Sequence, residues 1–319
     1  MITEIAFPEF QGYKEFLLED GTKVYYDCQS GKDVPSILRE IPDGSVVLTP
    51  RKLAAQQKYK EQQEYLERQK IERSKQQKLL GEYIFTAADK ETFSDLPPDM
   101  LARAIYLAAH LDFASDTLWA TQRLPITRTK LHKIMHLSES ATDSFWKAVR
   151  DKFFYRDGDG ILHTKGQAFA MGRLSASPSV EYQKLYVAAV KELYEKISSR
   201  QHKRLGYALK MLPYLNFEYN ILCHNPTVTI YDEIEPLTVS EFCEKVGFDK
   251  THASQLAADY GKMTFTVDGM QEVFCKFMGN GRDVTTAHIY INPRLIFKGE
   301  DLQNVAAVGV SFAADSKPI

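Results

Sequence analysis

Two segments of the chain follow the same plan, and this internal repeat limits the possible folds more than any other feature. Each segment opens with an apolar, helix-like run that ends in Leu-Asp/Asn-Phe, at residues 100–113 and, 104 positions later, at 204–217. Each then continues through Pro-Ile/Leu-Thr, beginning at Pro125 and at Pro236. A spaced match over about 70 residues indicates that one structural unit occurs twice.

The second unit contains the pattern of a helix-turn-helix. Thr238 and Glu241 have the spacing of a capping box, which predicts a helix over "SEFCEKV". The turn "GFD" and a helix capped by Asp249 follow. Small and polar side chains occupy the first turns of this second helix, where such a helix meets base edges in the major groove. The candidate base-reading residues are Lys250, Thr251, Ser254 and Gln255.

A hairpin is predicted beyond the second helix. Residues 272–292 form two β-prone runs around "GNGRD", and "IYINPRLIFKG" supplies the returning strand and a segment that packs back on the domain. Such a hairpin, called a wing, can contact phosphates with its tip. Lys276 and Arg282 are the candidate phosphate contacts here.

The first unit repeats this plan more weakly. Thr127 precedes a predicted helix over 128–135, a turn over 136–138, a helix over 139–154 and a compact wing over 155–167. Between residues 126 and 173 nine bases face five acids, which suits a phosphate-facing surface. The candidate phosphate contacts are Arg128, Lys147, Arg150 and Lys165. The second helix of this unit carries Asp143, Phe145 and Trp146, a poorer set for DNA, so a scaffold role stays an alternative for this unit.

The segments outside the repeat differ strongly in charge, which the net charge of −2 hides. Residues 1–50 hold nine acids and four bases and predict a hairpin around Glu19–Thr22. Residues 51–80 hold nine bases and four acids, without Gly or Pro, and predict a long solvated helix. This helix is a soluble surface, a phosphate contact or a pairing surface for a second chain. Residues 180–197 predict another helix, which either joins the two halves of the molecule or self-associates with a second chain.

The pattern therefore predicts a mainly α fold with small β-hairpins: tandem winged helix-turn-helix domains, a small N-terminal β-containing module and a long basic helix. The expected divisions are an N-terminal module (1–50), a basic helix and linker (51–95), a first winged-helix domain (96–175), a connecting helix (176–203), a second winged-helix domain (204–301) and a C-terminal tail (302–319).

Several other classes of protein fit the sequence poorly. No apolar run reaches membrane-spanning length, and four widely spaced cysteines indicate reduced thiols, so we expect no membrane partner and a cytoplasmic location. His132 and His136 have zinc-protease spacing, but Lys133 replaces the glutamate that would act as base. Neither "GNGRD" nor "DGDG" continues as a phosphate or calcium loop. We expect neither an enzyme nor a cofactor or metal, and residues 1–50 identify no small-molecule or peptide effector.

The runs "ALKMLPYLNFEYNILCHNP", "PLTVSEFCEKVGFDKTHASQL" and "YINPRLIFKG" resemble the winged-helix proteins of Firmicute phages and plasmids, which include MarR-like phage regulators and RepL-type replication proteins. The resemblance covers residues 200–300 and is weak over 96–174. It implies sequence-specific recognition of double-stranded DNA by the second helix and wing. The expected function is a phage or mobile-element transcription regulator. The alternatives are a plasmid or phage replication initiator that binds origin repeats, and an interaction protein that binds a host protein.

Overall fold

The computed structural model describes residues 81–299 apart from 122, 173, 175–180 and 280, together with a helix before them and short segments elsewhere. The short segments are Glu4–Ala6, Tyr13–Leu17, Lys23–Asp27, Val46–Leu48, residues 309 and 312, and Lys317–Pro318. The chain divides into two compact parts, an N-terminal part (Met1–Ile71) and a C-terminal part (Glu72–Ile319). Most of the expected tail, 302–319, and much of the module, 1–50, lie outside the described residues.

The N-terminal part contains four short strands. They are β1 (Glu4–Ala6), β2 (Tyr13–Leu17), β3 (Lys23–Asp27) and β4 (Val46–Leu48). Strands β2 and β3 are antiparallel, with Leu17 opposite Lys23, and β1 pairs with β4 in parallel. The predicted hairpin around Glu19–Thr22 is therefore confirmed.

A long helix, α1 (Pro50–Leu80), follows these strands. It begins at a proline, which suits the first helical turn because the missing N–H needs no partner there. It ends before Gly81, whose φ of 89° stops the helix. The described side chains of its middle turns are exposed, including Tyr59 and Leu66, so the prediction of a solvated helix over 51–80 is confirmed.

The C-terminal part combines seven helices with thirteen short strands among its described residues. The helices are α2 (Pro98–Ala108), α3 (Leu131–Ile134), α4 (Glu139–Val149), α5 (Val187–Lys196), α6 (His202–Leu209), α7 (Val239–Val246) and α8 (Ala253–Gly261). The strands are β5 (Tyr83–Ala87), β6 (Trp119–Thr121), β7 (Leu124–Pro125), β8 (Phe154–Arg156), β9 (Leu162–Thr164), β10 (Phe169–Ala170), β11 (Tyr182–Tyr186), β12 (Thr264–Val267), β13 (Met270–Val273), β14 (Cys275–Met278), β15 (His288–Ile291), β16 (Ile296–Phe297) and β17 (Lys317–Pro318).

A four-stranded antiparallel sheet in the order β10–β5–β11–β16 joins the two repeats. Phe85 of β5 lies opposite Lys184 of β11 at the centre. Ala170 pairs with Phe85 on one side, and Phe297 pairs with Lys184 on the other. Each half thus closes its own last strand onto its own first strand, and the two first strands join the halves.

Backbone contacts outside the sheet repeat in the same way. The bridge between Leu111 and Leu118 recurs between Leu215 and Leu222, both shifted by 104 positions. The Leu118 N–H donates to the carbonyl of Leu162 at 3.0 Å, and the Leu222 N–H donates to that of Ile289 at 2.9 Å. The predicted internal repeat is therefore confirmed in the backbone.

The equivalent helices α2 and α6 pack directly on each other. Gly206 permits this contact, because a Cβ there would lie only 1.6 Å from the carbonyl oxygen of Pro98. Ala102 occupies the matching position, 104 residues earlier, and is buried. Around this helix pair, one continuous apolar cluster draws side chains from both halves, including Leu131, Phe145, Phe242 and Leu256.

The prediction of a mainly α fold built as tandem winged helix-turn-helix domains is wrong. Among the described residues, eight helices accompany seven small sheets, so the chain is a mixed α and β protein. The central sheet was not predicted: β5 lies in the expected linker, and β11 occupies part of the expected connecting helix. The strand propensity of residues 182–186 alone did not reveal that Tyr182–Tyr186 pairs with a strand on each side. The side chains of this strand are mostly buried.

Helix α5 is the helical part of the segment that was predicted as a connecting helix. It buries Ala189, Val190, Leu193 and Tyr194 inside its own chain. The apolar face proposed for self-association over 180–197 is thus used within the molecule; residue 180 itself lies outside the described residues. No helix in the described part of the chain is long and apolar enough to cross a membrane.

Candidate nucleic-acid interface

Helix α7 begins with the predicted capping box. The Thr238 N–H donates to Glu241 Oε2 at 2.8 Å, and the Glu241 N–H donates to Thr238 Oγ1 at 3.2 Å. Hydrogen bonds from the Thr238 backbone and hydroxyl lower the pKa of the Glu241 carboxyl. The helix ends at Gly247, whose φ of 72° is left-handed, so both ends of α7 are fixed by local sequence.

The second helix begins with a 3₁₀ turn over Lys250–His252 and continues as α8. Asp249 caps this turn: its carboxylate accepts from the Thr251 N–H at 2.9 Å and from the Thr251 hydroxyl at 2.7 Å. These bonds lower the pKa of Asp249. Leu256, Ala257 and Tyr260 face the core. The opposite face of α8 is therefore held outward in a defined orientation.

The four predicted base-reading residues lie together on that outward face, and all four are exposed. Positions 250, 251, 254 and 255 share one side because neighbours three and four apart are adjacent on a helix. Lys250 Nζ contacts Glu244 Oε1 at 2.6 Å, and Gln255 Nε2 donates to Asp259 Oδ1 at 2.9 Å. Together with Thr251, whose hydroxyl donates to Asp249, three of the four side chains thus have carboxylate partners in the free protein.

The predicted wing residues have different surroundings. Strands β14 and β15 form the expected antiparallel hairpin, and Arg282 is exposed in its connection. Lys276 lies within β14, partly buried, with Nζ 5.2 Å from the ring centre of Phe312. Arg282 is therefore presented to solvent at the hairpin end, and Lys276 packs beside a C-terminal aromatic ring.

The four predicted phosphate contacts of the first half also divide into two kinds. Arg128 is paired with Asp143 and lies over the ring of Trp146. Lys147 and Lys165 are exposed, and the exposed Arg150 has Nε 3.9 Å from an Asp151 carboxylate oxygen. Arg128 is committed inside its unit, whereas the other three point outward.

Helix α4 in this unit is shorter than predicted. It ends at Val149, and residues predicted to continue it form the turn before β8. The helix stops because Arg150 adopts extended backbone and Asp151 left-handed backbone, with φ of 65°, and Phe153 and Phe154 beyond them are buried in the core.

A second hairpin, β12–β13, was missed by the sequence reasoning. It follows α8 directly and turns at Asp268 and Gly269, whose φ angles are 52° and 73°. A two-residue Asp-Gly turn between β-prone runs is a strong hairpin signal, and "TFTVDGMQEV" contains it. The second unit thus carries two hairpins where one was expected.

No group of three or more His, Cys, Asp or Glu side chains in the described ranges could hold a metal ion. Comparisons with protein-family models, with curated proteins and with solved structures found no match.

Proposed function

We propose that this protein binds double-stranded DNA in a sequence-dependent manner and acts as a transcription regulator of a phage or mobile element. The observation that supports this most is the outward face of α8. Its first turns carry Lys250, Thr251, Ser254 and Gln255, all exposed, on a helix whose start is capped by Asp249. A pre-oriented polar face loses little conformational freedom when it enters a groove.

The chemistry of these side chains suits base edges. The Gln255 amide can form paired hydrogen bonds with adenine, and the Lys250 ammonium can donate to guanine acceptors. Glu244 and Asp259 hold these two groups in the free protein. DNA binding therefore exchanges these protein partners of Lys250 and Gln255 for base partners.

Backbone contact is assigned to the predicted basic residues. Arg282 supplies a phosphate contact from the β14–β15 hairpin, with Lys276 behind it. In the first half Lys147, Arg150 and Lys165 are exposed and suited to phosphates, and Arg128 must first leave Asp143. Such contacts fix orientation without reading sequence.

The cytoplasm is the proposed location. Cys223, Cys243 and Cys275 are buried free thiols, the state expected in a reducing compartment.

The test is a selection of binding sites from a random duplex library, followed by salt titration of the selected duplex. Wild type should enrich a motif. Gln255→Ala should cost about 1–3 kcal/mol and relax one base position. Ser144→Ala is the matched control, because residue 144 lies 111 positions earlier, at the equivalent place on α4, and should leave the motif unchanged.

Arg282→Ala separates phosphate holding from reading. It should weaken all duplexes alike and reduce the salt slope by about one. A change in sequence preference alone would contradict its assignment, and absence of duplex binding at low salt would overturn the proposed function in favour of a protein partner.

A replication initiator is the second candidate. The observation that favours it is the pair of repeats with unequal outer faces on one chain, which suits an asymmetric or repeated origin site. Several spaced copies of the selected motif near the protein's own gene would support it, whereas one operator overlapping a promoter would support regulation.

A further inference from the structure

A cleft lies between the α5–α6 connection and the C-terminal end of α8, the helix that carries the proposed base-reading residues. Its volume is about 530 Å³. Leu193, Ile197 and Met263 supply an apolar part of the lining, and Leu193 and Met263 are buried. Basic side chains supply most of the rest: Lys196, Arg200, Arg204 and Lys262.

The positive charge of this cleft is only partly neutralised. Lys196 Nζ pairs with Glu192 at 2.7 Å, and Arg204 Nε pairs with Asp259 at 3.0 Å. Within the described part of the chain, Arg200 and Lys262 have no ion pair, and both are exposed. Four bases against these two acids leave two positive charges facing one concave surface.

We propose that this basic cleft binds a phosphate group of a nucleotide, either free or within a duplex backbone. Arginine and lysine donors match phosphate oxygens, and the apolar lining suits the flat face of a base. The volume is within the range of small-molecule sites. The phosphate comes either from a free small molecule or from the backbone of a bound duplex, and the chemistry of recognition is the same.

The cleft is connected to the reading face through one carboxylate. Asp259 accepts from Arg204, in the cleft, and from Gln255, on the outer face of α8. A phosphate that draws Arg204 away leaves Gln255 as the side-chain partner of Asp259. If the proposed DNA-binding function holds, on which this consequence rests, the occupied cleft retains Gln255 and lowers discrimination between sequences.

The direct test is calorimetric titration of the full chain with pyrophosphate at constant ionic strength, without DNA. Wild type should show one saturable site. The double variant Arg200→Ala, Lys262→Ala should bind at least ten-fold more weakly. Lys130→Ala, Lys133→Ala removes the same charge from exposed positions of the first half and should bind like wild type.

Equal weakening in the two double variants would overturn the proposal, because it would show a general charge effect. A second arm measures binding of both variants to a random-sequence duplex. If pyrophosphate does not bind but the cleft variant alone loses duplex affinity, the proposal holds with the DNA backbone as the phosphate source. If neither ligand distinguishes the variants, the cleft is no phosphate site.

These outcomes are independent of the proposed reading by α8. Pyrophosphate binding requires no DNA, so it can support the cleft in a protein that fails duplex selection. Conversely, Gln255→Ala can relax a selected motif in a protein whose cleft binds nothing.

Discussion

The two repeats of this chain, each with two short helices joined by a turn, share their internal positions but differ in their outer faces. The shared positions lie 111 residues apart and include a threonine before the first helix, a left-handed turn residue, a cap of the second helix and a buried side chain at its centre. The four pairs are Thr127 and Thr238, His136 and Gly247, Ser138 and Asp249, and Phe145 and Leu256.

The outer faces carry opposite chemistry at equivalent positions. Where α8 and its first turn present Lys250 and Ser254, α4 presents Glu139 and Asp143. Asp143 also holds Arg128. Acidic groups repel the phosphate backbone, so α4 is poorly suited to a groove although its scaffold is the same. The comparison shows that packing requirements set the buried positions, while the exposed ones are available for function.

The largest expected effect tests whether the two repeats share one apolar core. Phe145 and Leu256 are both fully buried in the same apolar cluster. Phe145→Ala should destabilise by about 3–5 kcal/mol and Leu256→Ala by about 2–5 kcal/mol. Because the cluster is continuous, fluorescence and circular dichroism should report one coincident urea transition for residues 72–319, which contain both repeats. Separate transitions for the two halves would contradict a shared core.

Acid should weaken both halves through one buried histidine each. Burial lowers the pKa of His110 to about 4 and that of His202 to about 4. Both folded values lie below the usual value near 6.5, so the unfolded state binds more protons between them. Stability is therefore full above about pH 6.5 and falls as pH drops towards 4.

Between pH 7 and pH 5 each histidine should cost about 2 kcal/mol of unfolding free energy. Urea titrations of His110→Gln and His202→Gln at both pH values measure this, and each variant should show a smaller drop than wild type. An unchanged drop in either variant would remove that histidine from the explanation.

The threonines that precede the first helix of each repeat should contribute differently to stability. Thr238 forms a reciprocal capping box, whereas Thr127 makes no side-chain bond to the helix start and contacts only the Thr129 hydroxyl, at 3.1 Å. Thr238→Ala should cost about 1 kcal/mol and Thr127→Ala only about 0.3 kcal/mol. Thermal or urea unfolding measures both, and equal costs would show that the box contributes nothing specific.

The repeat, the caps and the left-handed turn at Gly247 could be predicted because each depends on neighbouring residues. The capping box needs only Thr238 and Glu241, three positions apart. The central sheet could not, because Tyr182–Tyr186 becomes a strand through pairing with segments about 100 residues before and after it. Of the candidate site, the exposed face of α8 was predictable from spacing. The engagement of Arg128 with Asp143, and of Lys276 with Phe312, depends on tertiary contacts that spacing does not reveal.

The last pair of substitutions concerns the turn between the two helices of each repeat. Gly247 and His136 both adopt left-handed backbone, with φ of 72° and 51°. Glycine adopts this conformation without strain, whereas a residue with a Cβ pays about 1 kcal/mol. Gly247→Ala should therefore destabilise by about 1 kcal/mol, although open space surrounds the added Cβ. His136→Gly should stabilise by about 0.5 kcal/mol, because relief of strain exceeds the added freedom of the unfolded chain.

The paired design makes this result interpretable, because the two substitutions act at equivalent positions in opposite directions. Urea unfolding at pH 7 gives both values under one condition, and His136→Ala, which keeps a Cβ, should stay near wild type. If His136→Gly destabilises instead, the exposed imidazole makes a contact whose loss outweighs the strain, and the first turn is then held by its side chain rather than by its backbone.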